Sequence, residues 1–179
     1  SSPARERRIG ASFRAQWDRF VAGFGRAPDF IDGHEHVHLF GASRRALFRL
    51  VADTGFAGWV RQCETSSRRG GLKRRVLDPF SRSFRREAVA RGLVTNPGFG
   101  GLRLFDPKED IDALWREDIA AMREGGLLMV HPGGADATNA GQCRAQEAGL
   151  LAAGRLEAVM AERDRAGAAP VAGIEPATF

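Results

Sequence analysis

Short apolar segments with the character of β-strands alternate along the chain with longer segments of helical periodicity. The strand-like segments are Phe30-Ile31, Gly58 to Arg61, Leu93 to Thr95 and Leu127 to Val130. Because the intervening helical segments have about ten residues or more, they are long enough to connect parallel strands. The alternation therefore predicts an α/β fold built from parallel βαβ units. In such folds the functional side chains lie in loops at the carboxyl ends of the strands.

Apolar residues spaced three and four positions apart predict the helices. The first predicted helix runs from Ala4 to Gly25, with Phe13, Trp17 and Phe20 on one side. The other predicted helices are Ser43 to Gly55, Arg82 to Arg91, Asp106 to Gly125 and Gln142 to Arg165. Residues 64–80 are polar, basic and without periodicity, so we expect an irregular segment there. Residues 96–101 predict a Gly-rich loop, and Val171 a final strand.

The length of 179 residues corresponds to one domain, since domains commonly have about 150 residues. We expect residues 1–167 to form a single domain, and residues 168–179, which are rich in Ala and Pro, to be a disordered tail. The sequence contains no run of about 18 apolar residues, so no membrane span is predicted. Cys63 and Cys143 form neither a zinc motif nor a disulfide framework, which favours a reducing, cytoplasmic setting.

The net charge of +5 is concentrated in one region. Residues 61–91 hold ten Lys or Arg against three acidic residues. One interpretation is a site for nucleic acid or an anionic substrate. The other is a solvated helix face, which we favour because no nucleic-acid-binding motif accompanies the charge. Nucleic acid is therefore not the partner that the sequence predicts.

The segment Asp32-Gly33-His34-Glu35-His36-Val37-His38 holds three of the four histidines. In extended backbone, alternate residues point the same way, so Asp32 and the three histidines could share one face. Imidazole and carboxylate groups are ligands for zinc, magnesium or manganese. The alternative is a polar strand edge, but three alternating histidines beside an aspartate favour a metal. Because close neighbours on a strand cannot all converge on one ion, we expect one or two ligands here.

His131 follows the apolar segment Leu127 to Val130 and precedes Pro132-Gly133-Gly134. A histidine at a strand end is suited to general acid or base chemistry near neutral pH. A histidine held by backbone carbonyl groups at the start of a loop is an equally good interpretation of this position alone.

These motifs occur together in a known family. The segment from Pro28 to His38 resembles the P-x-x-I-D-x-H-x-H-x-H segment of the YdjC-like carbohydrate deacetylases, which include chitooligosaccharide deacetylases and the hopanoid-biosynthesis-associated HpnK proteins. Further similar elements are Arg14 to Phe20, Val60-Arg61, the N-x-x-F-x-G loop from Asn96 to Gly101, the HPG element ending at Gly133, and the R-x-x-E-x-x-L helix from Arg144. The resemblance covers nearly the whole chain, in order.

The resemblance implies a barrel-like (β/α) deacetylase fold, similar to a TIM barrel, and a bound divalent metal ion, Mg²⁺ or Zn²⁺. It implies that the metal polarises an N-acetyl carbonyl and activates water, so that an acetylated amino sugar is hydrolysed to an amine and acetate. An acetylated oligosaccharide and a glycolipid precursor are both substrates of the expected kind.

The family resemblance implies roles for individual residues of this chain. His34 resembles the family's metal-binding histidine, and His38 is the best candidate for an additional ligand. His131 resembles the histidine that donates a proton to the departing amine. The resemblance implies that Asp32 and His36 either support the metal ligands or contact the substrate. It implies that Arg61 and the loop of Phe99 line the sugar site.

The chain also departs from the family's pattern. The family begins with a strand that carries an Asp-Asp pair, and a later strand supplies another histidine ligand. Neither precedes the first helix here, and no Asp-Asp pair occurs in the sequence. We therefore expect the C-terminal portion of a deacetylase domain, incomplete at its N-terminal side and impaired in activity. The alternative is a non-catalytic remnant that binds a sugar or a partner protein. The sequence leaves the sugar, the metal and a homo-oligomeric state open.

Overall fold

A computed structural model describes residues 2–68 and 71–166. The helices are α1 Pro3–Phe24, α2 Gly41–Thr54, α3 Gly71–Ala90, α4 Ile111–Ala121, α5 Asn139–Ala152 and α6 Arg155–Arg165. The strands are β1 Phe30–Ile31, β2 Trp59–Val60, β3 Val94–Thr95, β4 Phe99–Gly100 and β5 Leu127–Leu128. The described residues divide into two compact units, one formed by residues 2–63 and 76–96 and the other by residues 64–75 and 97–166.

Helix α1 forms as the periodicity predicts. Ser2 caps its first turn by accepting a hydrogen bond from the backbone N–H of Arg5, and Gly25 ends it in the left-handed conformation. Trp17 meets Phe56 edge to face, with ring centroids 5.9 Å apart. Helix α2 begins two residues before the predicted Ser43 cap and presents a buried face to the first unit.

The first unit contains a parallel sheet with the strand order β1-β2-β3. Phe30 is opposite Trp59, and Trp59 is opposite Val94. The Phe30 and Trp59 rings stack with centroids 4.8 Å apart, which adds a side-chain contact to the backbone pairing. These three strands are the ones expected from the apolar segments, although each has only two residues.

The prediction of an irregular segment over residues 64–80 is wrong for its second half. Helix α3 begins at Gly71 and includes Pro79 in its interior. A proline removes one backbone hydrogen bond and normally ends a helix. Here the face that carries Phe84, which is fully buried, and Ala88 is packed in the core, and this burial stabilises the helix beyond the proline.

The second unit contains β4 paired in parallel with β5. Strand β4 lies where the sequence predicted a Gly-rich loop. All four residues of the apolar segment from Leu127 to Val130 are half-buried. The core of this unit is formed by Ile111, Trp115, Ile119, Leu156 and Val159.

The predicted last helix is two helices. Gly154 adopts a left-handed conformation with φ of 67°, and this ends α5 and starts α6. The N-terminus of α5 is capped by Thr138, whose hydroxyl accepts a hydrogen bond from the N–H of Gly141 at 3.0 Å.

Parallel pairing and the alternation of strands with helices confirm the α/β class. Closure of the strands into a barrel stays a prediction. The expected tail at 168–179 and the strand at Val171 fall outside the described residues. Within residues 2–68 and 71–166, no helix combines the length and the hydropathy that a bilayer crossing requires.

Candidate functional site

The histidine segment is not an extended strand. Strand β1 ends at Ile31, and residues His34–Leu39 form a 3₁₀ segment. Glu35 and His36 have positive φ angles of 49° and 62°, which few residues other than glycine adopt. The expectation that Asp32 and the three histidines share one strand face is therefore wrong, because the backbone turns between them.

Two of the three histidines are buried. His38 is 2% exposed, and its Nε2 donates a hydrogen bond to the backbone carbonyl of Arg61 at 2.7 Å. Burial and, to a smaller extent, the charge of Arg61 lower the pKa of His38 to about 4. The ring of His38 also meets Phe84 edge to face. His38 is therefore a neutral, internally bonded imidazole near neutral pH.

The side chain of Arg61 binds several groups of the histidine segment. Its side chain is 2% exposed and forms an ion pair with Asp32. Its guanidinium also donates to the carbonyl of Gly33 at 2.9 Å and to Nδ1 of His36 at 2.9 Å. The guanidinium further donates to Sγ of Cys63, at 2.8 Å. A planar guanidinium with several donors can fix all of these groups at once.

His34 is the exposed histidine of the segment. It lies in the wall of a cavity of about 520 Å³ within the first unit. The lining is mainly apolar and comes from α1, β1 and α2, with Phe13, Trp17, Phe20, Ile31, Leu47 and Leu50 among its residues. Asp32, whose side chain is 42% exposed, lines the same cavity. His38 also lines this cavity, but His34 and Asp32 are the predicted site residues of its lining that are exposed.

A complete metal site is not present among the described residues. Residues 2–68 and 71–166 contain no group of three His, Cys, Asp or Glu side chains arranged around a common point. His34 can donate one imidazole nitrogen. Both nitrogens of His38 are buried, with Nε2 bonded to Arg61 and Nδ1 against Gly33. The residues present therefore fit one ligand of a divalent ion and not a full set.

The second unit carries His131, three residues after β5. Its backbone N–H donates to Oε2 of Glu147 at 3.0 Å, and its Nδ1 lies 3.7 Å from the same oxygen. Its side chain is 21% exposed, and its ring meets Phe105 edge to face with centroids 5.1 Å apart. His131 is therefore held at a loop start by a buried carboxylate and remains accessible.

The predicted substrate residue Phe99 is fully buried in β4. The glycines around it permit close packing. Gly101 has a φ of 85°, and a Cβ atom there would lie 1.9 Å from the carbonyl oxygen of Met129. Asp118 fixes the loop, because its carboxylate accepts hydrogen bonds from the N–H of Gly101 and the hydroxyl of Ser67. Contact of this loop with a sugar stays a prediction.

Three buried residues that lie beside the predicted site residues were not identified from the sequence: Cys63, Arg103 and Glu147. Cys63 carried a signal, since it lies two residues after Arg61 and in extended backbone both point to one side. Glu147 was identified only as part of a helix pattern. Its contact with His131 joins residues 16 positions apart, and no local pattern indicates it.

Comparison with known proteins gives consistent matches. Residues 1–162 match the family model described as YdjC-like protein. A protein named chitooligosaccharide deacetylase from Proteus mirabilis is 44% identical over 45 residues, which are 25% of this chain and 16% of that protein. A second protein of that name, from Klebsiella pneumoniae, is 28% identical over 160 residues, which are 87% of this chain and 57% of that protein. The chain thus spans little more than half the length of the Klebsiella protein.

Proposed function

Since the chain belongs to the YdjC-like protein family, we propose that it carries part of the machinery of a carbohydrate N-deacetylase. The substrate class would be an acetylated amino sugar, in an oligosaccharide or a glycolipid precursor. The observation that carries this proposal is the family match over 162 residues, together with the names of the two relatives. A barrel-like closure of the fold is part of the same proposal.

His131 would act as the acid. Hydrolysis of an N-acetyl group breaks the C–N bond, and the departing amine must gain a proton. An accessible imidazole at the end of a parallel strand is suited to donate it. The buried carboxylate of Glu147 contacts the backbone N–H of His131, so the start of the loop is fixed while the ring remains reachable.

His34 and Asp32 would contact the substrate in the cavity of the first unit. Both line its cavity, and both are exposed enough to bind a polar group. Metal dependence belongs to the proposal as well, with His34 as one ligand. Arg61 would act beneath the surface by holding Asp32 and Gly33 in place, and the ring of His36 binds the same guanidinium.

We further propose that hydrolysis by this chain is impaired. The adjacent aspartates that the family resemblance assigns as base and metal ligand do not occur in its sequence. A second candidate function follows from the same observation, namely non-catalytic binding of a sugar or a partner protein by the retained cavity.

The proposal is tested by measuring acetate release and binding with acetylated chitooligosaccharides. We expect the chain to bind the oligosaccharide and to release acetate slowly, and we expect His131→Gln to bind but release none. Lys108→Gln, at an exposed position of the same unit, is the control and should retain the activity. Binding without acetate release by the unsubstituted chain supports the non-catalytic alternative. Absence of binding by the folded chain contradicts both the deacetylase proposal and non-catalytic sugar binding.

A further inference from the structure

We propose that Glu147 is a positioning residue that fixes the tautomer of His131, with the proton on Nδ1. This inference rests on the proposed function, in which His131 donates a proton to the departing amine. It concerns which ring nitrogen faces the carboxylate and which nitrogen exchanges the proton with the substrate.

The contact geometry identifies the nitrogen that faces Glu147. Nδ1 of His131 is 3.7 Å from Oε2 of Glu147, and this nitrogen is buried without a hydrogen-bond partner. A buried polar atom without a partner is unfavourable. A small rotation of the ring brings Nδ1–H within hydrogen-bond distance of the carboxylate. Because Nδ1 is buried, the exposed part of the ring lies on its other atoms, of which Nε2 is the polar one.

The carboxylate of Glu147 is itself held in place. It is 1% exposed and projects from α5, and its Oε1 lies 3.4 Å from Nη1 of Arg103. The same guanidinium lies 3.4 Å from Glu109. Arg103 is 2% exposed, so its charge acts at short range with little screening by water. Arg103 thereby stabilises the negative charge of Glu147, which makes the carboxylate a strong and oriented acceptor for Nδ1–H.

The chemistry of the proposed step favours the same tautomer. A protonated imidazole carries hydrogen on both nitrogens. When Nε2 gives its proton to the departing amine, the ring becomes neutral and keeps its hydrogen on Nδ1. A carboxylate that accepts a bond from Nδ1–H favours this neutral tautomer over the one with its hydrogen on Nε2. Glu147 would thus act through His131 without touching the substrate.

A merely structural role for Glu147 is the competing explanation, since Oε2 also accepts the backbone N–H of His131. Glu147→Gln separates the two roles. The amide oxygen can still accept from the backbone, but the charge that holds Nδ1–H is lost. A structural role predicts an unchanged ring tautomer, whereas a positioning role predicts a changed one.

The experiment is ¹⁵N NMR of the histidine rings at a pH where the imidazole is neutral, with His131→Gln to assign the His131 signals. We expect the unsubstituted chain to show predominantly the Nδ1–H tautomer. Glu147→Gln should lose this predominance and gain a large share of the Nε2–H form. Glu157→Gln removes the same charge at an exposed position of α6 and should match the unsubstituted chain.

A predominant Nε2–H form in the unsubstituted chain overturns the proposal, even if Glu147→Gln does not fold. An unchanged tautomer in folded Glu147→Gln overturns it as well. Neither measurement needs turnover, so failure of the deacetylase assay and failure of this inference are distinguishable.

Discussion

The Nε2 atom of His38 donates a hydrogen bond to the carbonyl oxygen of Arg61, across 23 positions of the sequence. The acceptor lies in the chain directly after β2, and the donor lies in the 3₁₀ segment after β1. The same arginine binds Asp32 and His36 through its side chain, so backbone and guanidinium together hold the histidine segment. His38 is therefore a buried residue that fixes the segment in which the exposed His34 lies.

The burial of His38 predicts a pH dependence of stability. Its pKa is about 4 in the folded chain and 6.5 in its ordinary state, so the folded chain binds fewer protons between these values. Stability is thus complete above pH 6.5 and decreases as the pH falls toward 4. Each unit by which the folded-state pKa lies below the ordinary value corresponds to about 1.4 kcal/mol. The free energy of unfolding should therefore decrease by about 3 kcal/mol between pH 6.5 and pH 4.

Urea unfolding between pH 4 and pH 8 measures this effect. His38→Gln keeps an amide donor but does not titrate, so we expect its free energy of unfolding to vary less with pH. His34→Gln, at the exposed histidine, is the matched control and should follow the unsubstituted chain. Identical pH profiles for His38→Gln and the unsubstituted chain would contradict the assignment.

Gly101→Ala should strongly destabilise the chain. The φ of 85° is unfavourable for any residue with a Cβ atom, and that atom would overlap the carbonyl oxygen of Met129. We expect a decrease of roughly 3 kcal/mol in the free energy of unfolding. Gly134→Ala is the control, since nothing lies near its Cβ position, and it should change stability by less than about 0.5 kcal/mol. Equal effects of the two changes would show that Gly101 and the carbonyl oxygen of Met129 are farther apart than described.

Asp118→Ala should also destabilise the chain, for a different reason. The N–H of Gly101 and the hydroxyl of Ser67 would both lose a charged acceptor in a buried setting. Hydrogen bonds to charged groups contribute about 1.5–3 kcal/mol each, so we expect the loss of two to lower the free energy of unfolding by roughly 3–6 kcal/mol, as measured by chemical denaturation. Asp118→Asn retains one acceptor and should lose less. A larger effect of Asn than of Ala would contradict this account.

Both cysteines should be unreactive in the folded chain. Cys63 and Cys143 are each 1% exposed, and burial raises the pKa of Cys63 to about 12 and also raises that of Cys143. The thiolate is the reactive form, so iodoacetamide at pH 8 should label neither residue until denaturant is added. Ser12→Cys provides an exposed thiol as a positive control. Rapid labelling of two thiols in the native chain would contradict the described core.

The sequence was sufficient for features that depend on local patterns. The periodicity from Phe13 to Phe20 and the apolar run Phe30-Ile31 predicted α1 and β1, because side-chain spacing determines which face is buried. Long-range packing determined what was missed. Helix α3 passes through Pro79 because its later turns are anchored in the core by Phe84, and a local pattern does not show that anchor.

The same distinction applies to the candidate site. His34 and His131 were identifiable because each follows a short apolar strand. The turn that separates His34 from His36 could not be predicted, since it depends on positive φ angles at two ordinary residues. The ring of His36 is bound there by Arg61, which lies 25 positions away in the sequence. Glu147 was not recognised for the same reason, because its partners are distant in sequence.

Divalent-metal binding distinguishes the two histidines proposed as ligands. His34 is exposed in the cavity wall, whereas both nitrogens of His38 are buried. We expect calorimetry with Zn²⁺ to detect weak binding, since the described residues offer no group of three ligands. His34→Ala should abolish this binding, and His38→Gln should retain it. Loss in His38→Gln alone, in a folded chain, would mean that the 3₁₀ segment rearranges around the ion and that His38 is the principal ligand.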